Sequence, residues 1–189
     1  DQETFLMCTD TIIRQVKDIG RMVDEFSSFS RMPEPDFKEV SLAELCEQSL
    51  FLERNRFPNI EYTISTKELK AMISGDRQQI SQLLTNIMKN ASESIIYDTN
   101  LEVKVTGKID LNLVSKPNNF FVYITDNGGG FSESLLDRIA EPYITTRESG
   151  TGLGLAIATK IMEDHNGEIL LRNKKNGGAE VVLVFNKLN

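Results

Sequence analysis

Apolar residues recur at Phe5, Ile12, Val16, Ile19, Val23 and Phe26 in steps of four and three, interrupted only by Thr9, while Arg14, Lys17, Asp18, Arg21 and Asp24 fill the positions between. This spacing is the seam of a bundle or coiled-coil helix over residues 5–30. Pro33 and Pro35 stop it near Met32, because proline lacks a donor and biases its predecessor toward extended backbone. A seam this narrow cannot bury itself, so the helix needs partner helices that the rest of the chain does not supply.

Beyond the prolines the pattern changes. Ser41-Leu42-Ala43-Glu44 has the spacing of a capping box, and Leu42, Leu45, Cys46, Ser49 and Leu52 form one helical face. Residues 60–65 read as a strand. Asp76 then caps a strongly periodic helix with Ile80, Leu83, Leu84, Ile87, Met88, Ala91 and Ile95 on one side. Two strands follow, over residues 101–114, with a break at Gly107, and 120–125. After a stretch of mixed signals over 132–150 comes a helix over 153–165, closed by Asn166-Gly167. Residues 169–172 and 179–185 are final strands around a Gly177-Gly178 turn. Mixed elements with adjacent strand runs predict an α+β sandwich, one sheet covered on one face by helices.

Three places carry chemistry. Asp126-Asn127-Gly128-Gly129-Gly130-Phe131 follows a strand in which Phe121 and Tyr123 alternate with Val122 and Ile124. Glycines there fit a tight turn, or a backbone that must come within contact distance of a flat ligand. On the preceding helix Gln79, Gln82, Asn86, Asn90 and Glu93 share a face. Amides one turn apart at Asn86 and Asn90 suit a solvated surface, a hard cation or a phosphate-bearing ligand. Gly150-Thr151-Gly152-Leu153-Gly154 opens a helix, where unpaired amides attract phosphate, although the run matches neither GxGxxG nor a P-loop and also fits a flexible loop. His165 is the only histidine, and its place at a helix end points to a structural role.

Composition narrows the field. A chain of 189 residues with 40% hydrophobic residues can bury one full domain plus an appendage. A net charge of −7 without a basic run argues against nucleic acid or an anionic membrane as partner. Cys8 and Cys46 are isolated and read as reduced thiols. With neither a signal peptide nor a long apolar stretch, the region is expected to be cytoplasmic and without membrane contact, and the sequon at Asn90 to be unused.

Taken in order, "NIMKNASES", "DNGGGF", "EPYITT" and "GTGLGLA" resemble the N, G1, F and G2 boxes of the ATP-binding domain shared by sensor histidine kinases, gyrase, Hsp90 and MutL. The resemblance covers residues 37–187. "IIRQVKDIGRMVDEFSSFSRMPEP" looks like the second helix of a kinase dimerisation domain, in wording similar to NtrY-type nitrogen-regulation sensor kinases. The implied fold is the GHKL (Bergerat) α/β sandwich, with residues 1–35 the bundle helix and 36–189 the catalytic ATP-binding domain.

By the same resemblance, Asp126 accepts from the adenine amine, with Gly128 and Gly130 letting the base lie against the backbone. Asn90 ligates Mg2+, and Asn86 and Lys89 line the phosphate side. Residues 132–150 form a lid that is poorly ordered without nucleotide, with Thr145, Thr146 and Arg147 near its closing end. Gly150, Gly152 and Gly154, with Thr151 and Leu153 between them, hold the phosphates of ATP, and Arg147 steadies the γ-phosphoryl charge.

Position 86 separates the reaction types. The gyrase, Hsp90 and MutL branches have a water-activating glutamate there, and an amide cannot take a proton near neutral pH. Phosphoryl transfer to histidine is therefore expected rather than hydrolysis, the alternatives being a degenerate nucleotide-sensing module or an anti-sigma-type serine kinase. The phosphoacceptor histidine of such kinases lies on the first bundle helix. The chain is accordingly expected to belong to a longer sensor, anchored in the bacterial inner membrane, that dimerises through the N-terminal helix and passes phosphate to a response regulator.

Overall fold

The computed structural model describes residues 2–66, 70–96, 106–136, 138–145 and 150–188. Helix α1 (Gln2–Ser30) carries the predicted seam, and Ile12, Val16, Ile19, Val23 and Phe26 are all exposed. Its end is anchored, since Phe29 and Met32 pack against the core. The chain continues through β1 (Lys38–Ser41), α2 (Leu42–Arg56), β2 (Ile60–Thr66), β3 (Met72–Gly75) and α3 (Arg77–Ile96). It ends with β4 (Gly107–Ser115), β5 (Asn119–Asp126), α4 (Gly154–Asp164), β6 (Glu168–Asn173) and β7 (Ala179–Asn186).

Five strands form one mixed sheet in the order β2-β4-β5-β7-β6, with β2 and β4 parallel and the other neighbours antiparallel. A parallel pair requires a crossover, and the segment containing α3 provides it. β4 alternates cleanly, Ile109, Leu111 and Leu113 inward and Lys108, Asp110 and Asn112 outward. β5 does the same with Phe120, Val122 and Ile124, and Asp126 takes the next inward position at the rim of the core. The core between this face and α2, α3 and α4 is apolar, as the α+β sandwich requires.

Local signals set the helix boundaries. The Ser41 hydroxyl accepts from Glu44 N–H at 3.3 Å at the start of α2. Asp76 Oδ1 accepts from Gln78 and Gln79 N–H at 2.8 and 3.1 Å at the start of α3. α4 closes with Asn166 at φ 52°, Asn166 N–H bonded to Glu163 O and Gly167 N–H to Met162 O, a Schellman motif.

Two features differ from the sequence reading. Leu52 is exposed and Glu53 is buried, because an 11-residue step returns to within about 20° of Leu42 on the helix whereas a ten-residue step misses by about 80°. β1 and β3 pair as a separate antiparallel ribbon; with four residues each, they are too short to show an alternation. The expected strand over 101–114 is seen from Gly107 onward, and residues 101–105 lie outside the described residues. Among the described residues no helix is long and apolar enough to cross a membrane.

Candidate functional site

The polar face of α3 meets the start of α4. Asn86 Nδ2 donates to Gly154 O at 3.4 Å, and the amide of Asn90 lies 3.7 Å from where a Cβ on Gly154 would sit. The first turn of α4 thus lies against both amides, with room for ordinary contact at Gly154. Leu153, the residue before that turn, provides no side-chain cap, so the positive end of the helix is left to other partners. Thr151 accepts from Leu153 N–H at 3.4 Å and donates to the carboxylate of Glu25 on α1. Lys89 is half-buried on α3, and its charge offsets a small part of the burial that raises the Glu53 carboxyl.

Across the sheet end, Asp126 is 5% exposed and its Oδ1 accepts from Gly128 N–H at 2.9 Å and Ala179 N–H at 3.3 Å. Asn127 pins the next residue to β4, its Oδ1 accepting from Lys108 N–H at 2.7 Å and its Nδ2 donating to Thr106 O at 3.1 Å. The glycines fit protein first. A Cβ on Gly128 would lie 2.7 Å from the backbone carbon of Ser94 in α3, and one on Gly130, at φ 74°, would lie 2.8 Å from Asn173 Oδ1. These residues shape the loop that carries Asp126.

The expected lid is a chain of turns where it is described, with bonds from Leu135 N–H to Ser132 O, Arg138 N–H to Leu135 O and Glu141 N–H to Arg138 O. Its later part meets the start of α4 where Tyr143 N–H donates to Gly152 O at 3.1 Å. Tyr143 holds φ 68° and Gly152 φ 69°, and a Cβ on Gly152 would lie 2.6 Å from the Tyr143 backbone. Thr145 is exposed and Gly150 half-buried; Thr146 and Arg147 lie outside the described residues.

His165 ties the far ends of α3 and α4. Its Nε2 accepts from Asp76 N–H at 2.9 Å and its Nδ1–H donates to Ile161 O at 2.7 Å, while the Phe37 ring packs on it at 5.2 Å. This is the structural role expected. Burial pushes Asp76 up, but N–H donors from Asp36, Gln79 and Gln78 outweigh it and leave the carboxyl below its ordinary range. Burial drives Glu53 the other way, above the usual carboxylate range, against the opposing pull of Arg56. Both cysteines are free thiols, and burial lifts Cys46 to about 12.

The geometry therefore gathers Asn86, Asn90, Thr151, Gly152, Leu153 and Gly154 at one end and Asp126, Gly128 and Gly130 at the other. The family of histidine kinase-, DNA gyrase B- and HSP90-like ATPases matches residues 75–189. The chain belongs to this family. It is 46% identical over 187 residues to the nitrogen regulation protein NtrY of Azorhizobium caulinodans, covering 98% of this chain and 24% of that protein. Among solved structures it resembles the catalytic domain of histidine kinase ThkA at TM-score 0.69 and 29% identity, over 80% of this chain and 96% of that one. A second structure, ThkA in complex with the response regulator TrrA, aligns at TM-score 0.74 and 24% identity over 95% of this chain and 50% of that one, which speaks for the fold. The chain spans about a quarter of the length of the curated relatives it matches. It carries an ATP-binding domain of the histidine kinase type, on the α+β fold that the sequence predicted.

Proposed function

We propose that this domain binds ATP with Mg2+ and delivers the γ-phosphoryl group to a histidine on a companion bundle helix, for relay to an aspartate of a response regulator. The observation that carries the reading is the pairing of the Asn86–Asn90 face with an α4 start that has no side-chain cap, while a buried carboxylate stands at the opposite end. Asp126 accepts the adenine amine. The amides of residues 150–154 hold the phosphates, and Asn86 and Lys89 line that side. Thr145 and Thr146 lie near the closing end of the lid, and Arg147 steadies the charge that develops on the γ-phosphoryl group.

A magnesium ion fits this donor set. Among the described residues no cluster of three acids, histidines or cysteines could hold a metal by itself, which suits an ion that arrives on phosphates and takes one neutral protein oxygen, from Asn90. When bound, it offsets phosphate charge. Asn86 cannot act as a base, so the site favours transfer over hydrolysis.

Residues 1–35 form the second bundle helix and 36–189 the catalytic domain; the exposed seam of α1 pairs with a first helix and a second copy in a longer, membrane-anchored sensor. His165 cannot be the acceptor, since it is 7% exposed with both ring nitrogens engaged. Asp126→Asn removes a charged acceptor worth about 1.5–3 kcal/mol, so ATP should bind roughly ten- to a hundredfold more weakly by titration calorimetry. The decisive experiment mixes this chain with a longer partner that carries the phosphoacceptor helix and the Asp126→Asn substitution. Acid-labile, base-stable phosphate on the partner is expected; label at His165, or none in a mixture shown to be assembled, overturns the reading.

A further inference from the structure

The loop that carries Asp126 is gripped from outside its own motif. Asn173, the last residue of β6, presents its amide to Phe131: Oδ1 accepts from Phe131 N–H at 2.7 Å and Nδ2 donates to Phe131 O at 2.8 Å. The two bonds fix the amide's orientation, because one partner can only donate and the other only accept. A side chain thereby pairs with a loop residue as a neighbouring strand would. The next residue, Lys174, donates from Nζ to Asp126 O at 3.0 Å. Across the same hairpin Ala179 N–H binds Asp126 Oδ1 at 3.3 Å. Gly130 lacks the Cβ that would come within 2.8 Å of Asn173 Oδ1, so the glycine of the loop and the asparagine of the hairpin are one fitted contact.

We propose that Asn173, assisted by Lys174, is a positioning residue for base recognition: it holds the loop over residues 126–131 in the one shape that aims the Asp126 carboxylate at the nucleotide base. This rests on the reading that Asp126 meets adenine. Neither side chain has to touch the ligand. What they control is orientation, and orientation is what separates adenine, which offers an exocyclic donor, from guanine, which offers an oxygen at the same place. A loop released from Asn173 loses affinity for ATP and loses more of its preference than of its grip on phosphate.

Two variants test this in the full 189-residue chain. Asn173→Asp is isosteric but cannot donate to Phe131 O, and Lys174→Met keeps the aliphatic stem without the ammonium. Both positions lie on a hairpin rather than in the core, and each variant decides the matter if the other is poorly folded. The Kd for ATP and for GTP is measured by titration calorimetry, beside the melting temperature without nucleotide. For Asn173→Asp the ATP Kd should rise about tenfold, with a smaller rise for Lys174→Met, while GTP binding changes little, so the ATP-over-GTP ratio narrows. In phosphotransfer the KM for ATP should rise while kcat holds. Folded variants with unchanged ATP affinity, or equal weakening of ATP and GTP, overturn the positioning role and leave Asp126 in place. A wild-type chain with no preference for ATP overturns the base-site reading itself, and this role with it.

Discussion

The loop after β5 is fixed from three elements at short range: Ala179 N–H reaches Asp126, Asn127 bonds to β4, and Asn173 takes both backbone groups of Phe131. The loop before α4 draws its bonds from helices and an exposed turn instead of strands: Asn86 reaches Gly154 O at 3.4 Å, Tyr143 N–H reaches Gly152 O at 3.1 Å and Thr151 donates to Glu25 on α1, while the helix it opens has no side-chain cap. The difference follows what each end meets. A base is the same ring before and after reaction and is best received by a preformed surface, whereas phosphates arrive with one group more than they leave with, so what grips them must also let go.

The largest test of this contrast swaps a glycine at each end for alanine. A Cβ on Gly178, at φ 80°, would fall 2.1 Å from Asp126 O, at the end of a central strand that cannot give way. Gly178→Ala should cost about 3 kcal/mol or more and lower the melting temperature by roughly 6–12 °C. Gly152→Ala meets the Tyr143 backbone at 2.6 Å, also with positive φ, but Tyr143 belongs to an exposed turn that can move. About 1 kcal/mol is expected there. Equal losses in thermal unfolding would mean that the two loops are equally rigid.

Hydrogen exchange sharpens the comparison without mutation. Amides of Gly152 and Gly154 should exchange about tenfold more slowly once ATP is added, whereas Gly128, Phe131 and Ala179, already bonded, should change little. Parallel slowing at both ends would remove the distinction between a preformed and an assembled half.

What the sequence disclosed follows the same division. Asn86 and Asn90 are legible because a helix repeats every 3.6 residues, and the inward alternation of Phe120, Val122 and Ile124 carries through to Asp126. The grip of Asn173 was not legible. It joins residues 42 apart through a hairpin whose Gly177-Gly178 pair reads only as a turn, and the bond from Thr151 to Glu25 spans 126 residues. Glu53 was missed for another reason: as a glutamate beside Leu52 it looks like surface, and only the geometry of α2 shows which of the two turns inward.

Acid should loosen the phosphate half from its far end. Asp76 caps α3 and shares His165 with α4, and its folded carboxyl lies below the ordinary value of 3.8, so its stabilisation is present above that value and lost as pH falls through the folded one. Glu53 has the opposite sign. Raised above its ordinary 4.5, it favours the fold when protonated and withdraws that contribution as pH rises through its folded value. Chemical denaturation should therefore show Asp76→Ala about 0.5–2 kcal/mol less stable at pH 7, with a smaller deficit below pH 3. Glu53→Gln should flatten the slope above pH 4.5; an unchanged slope would place the acid dependence elsewhere.

The smallest effect expected concerns the contact between α1 and the phosphate loop. Glu25 accepts from the Thr151 hydroxyl, so a carboxylate stands beside the residues that receive a polyanion. At roughly 8–10 Å in a water-like dielectric each pair of unit charges repels by about 0.5 kcal/mol or less, and salt screens much of that. Glu25→Gln keeps an acceptor for Thr151 and removes the charge. ATP should bind about two- to threefold more tightly to this variant at low salt, ADP should gain less because it carries less charge, and both gains should fade at 0.5 M salt. ATP and GTP carry the same phosphate charge, so the preference for ATP over GTP should not move. A gain of equal size at high salt would instead mean that the substitution frees the loop mechanically, and that α1 restrains the phosphate half through the hydrogen bond rather than through its field.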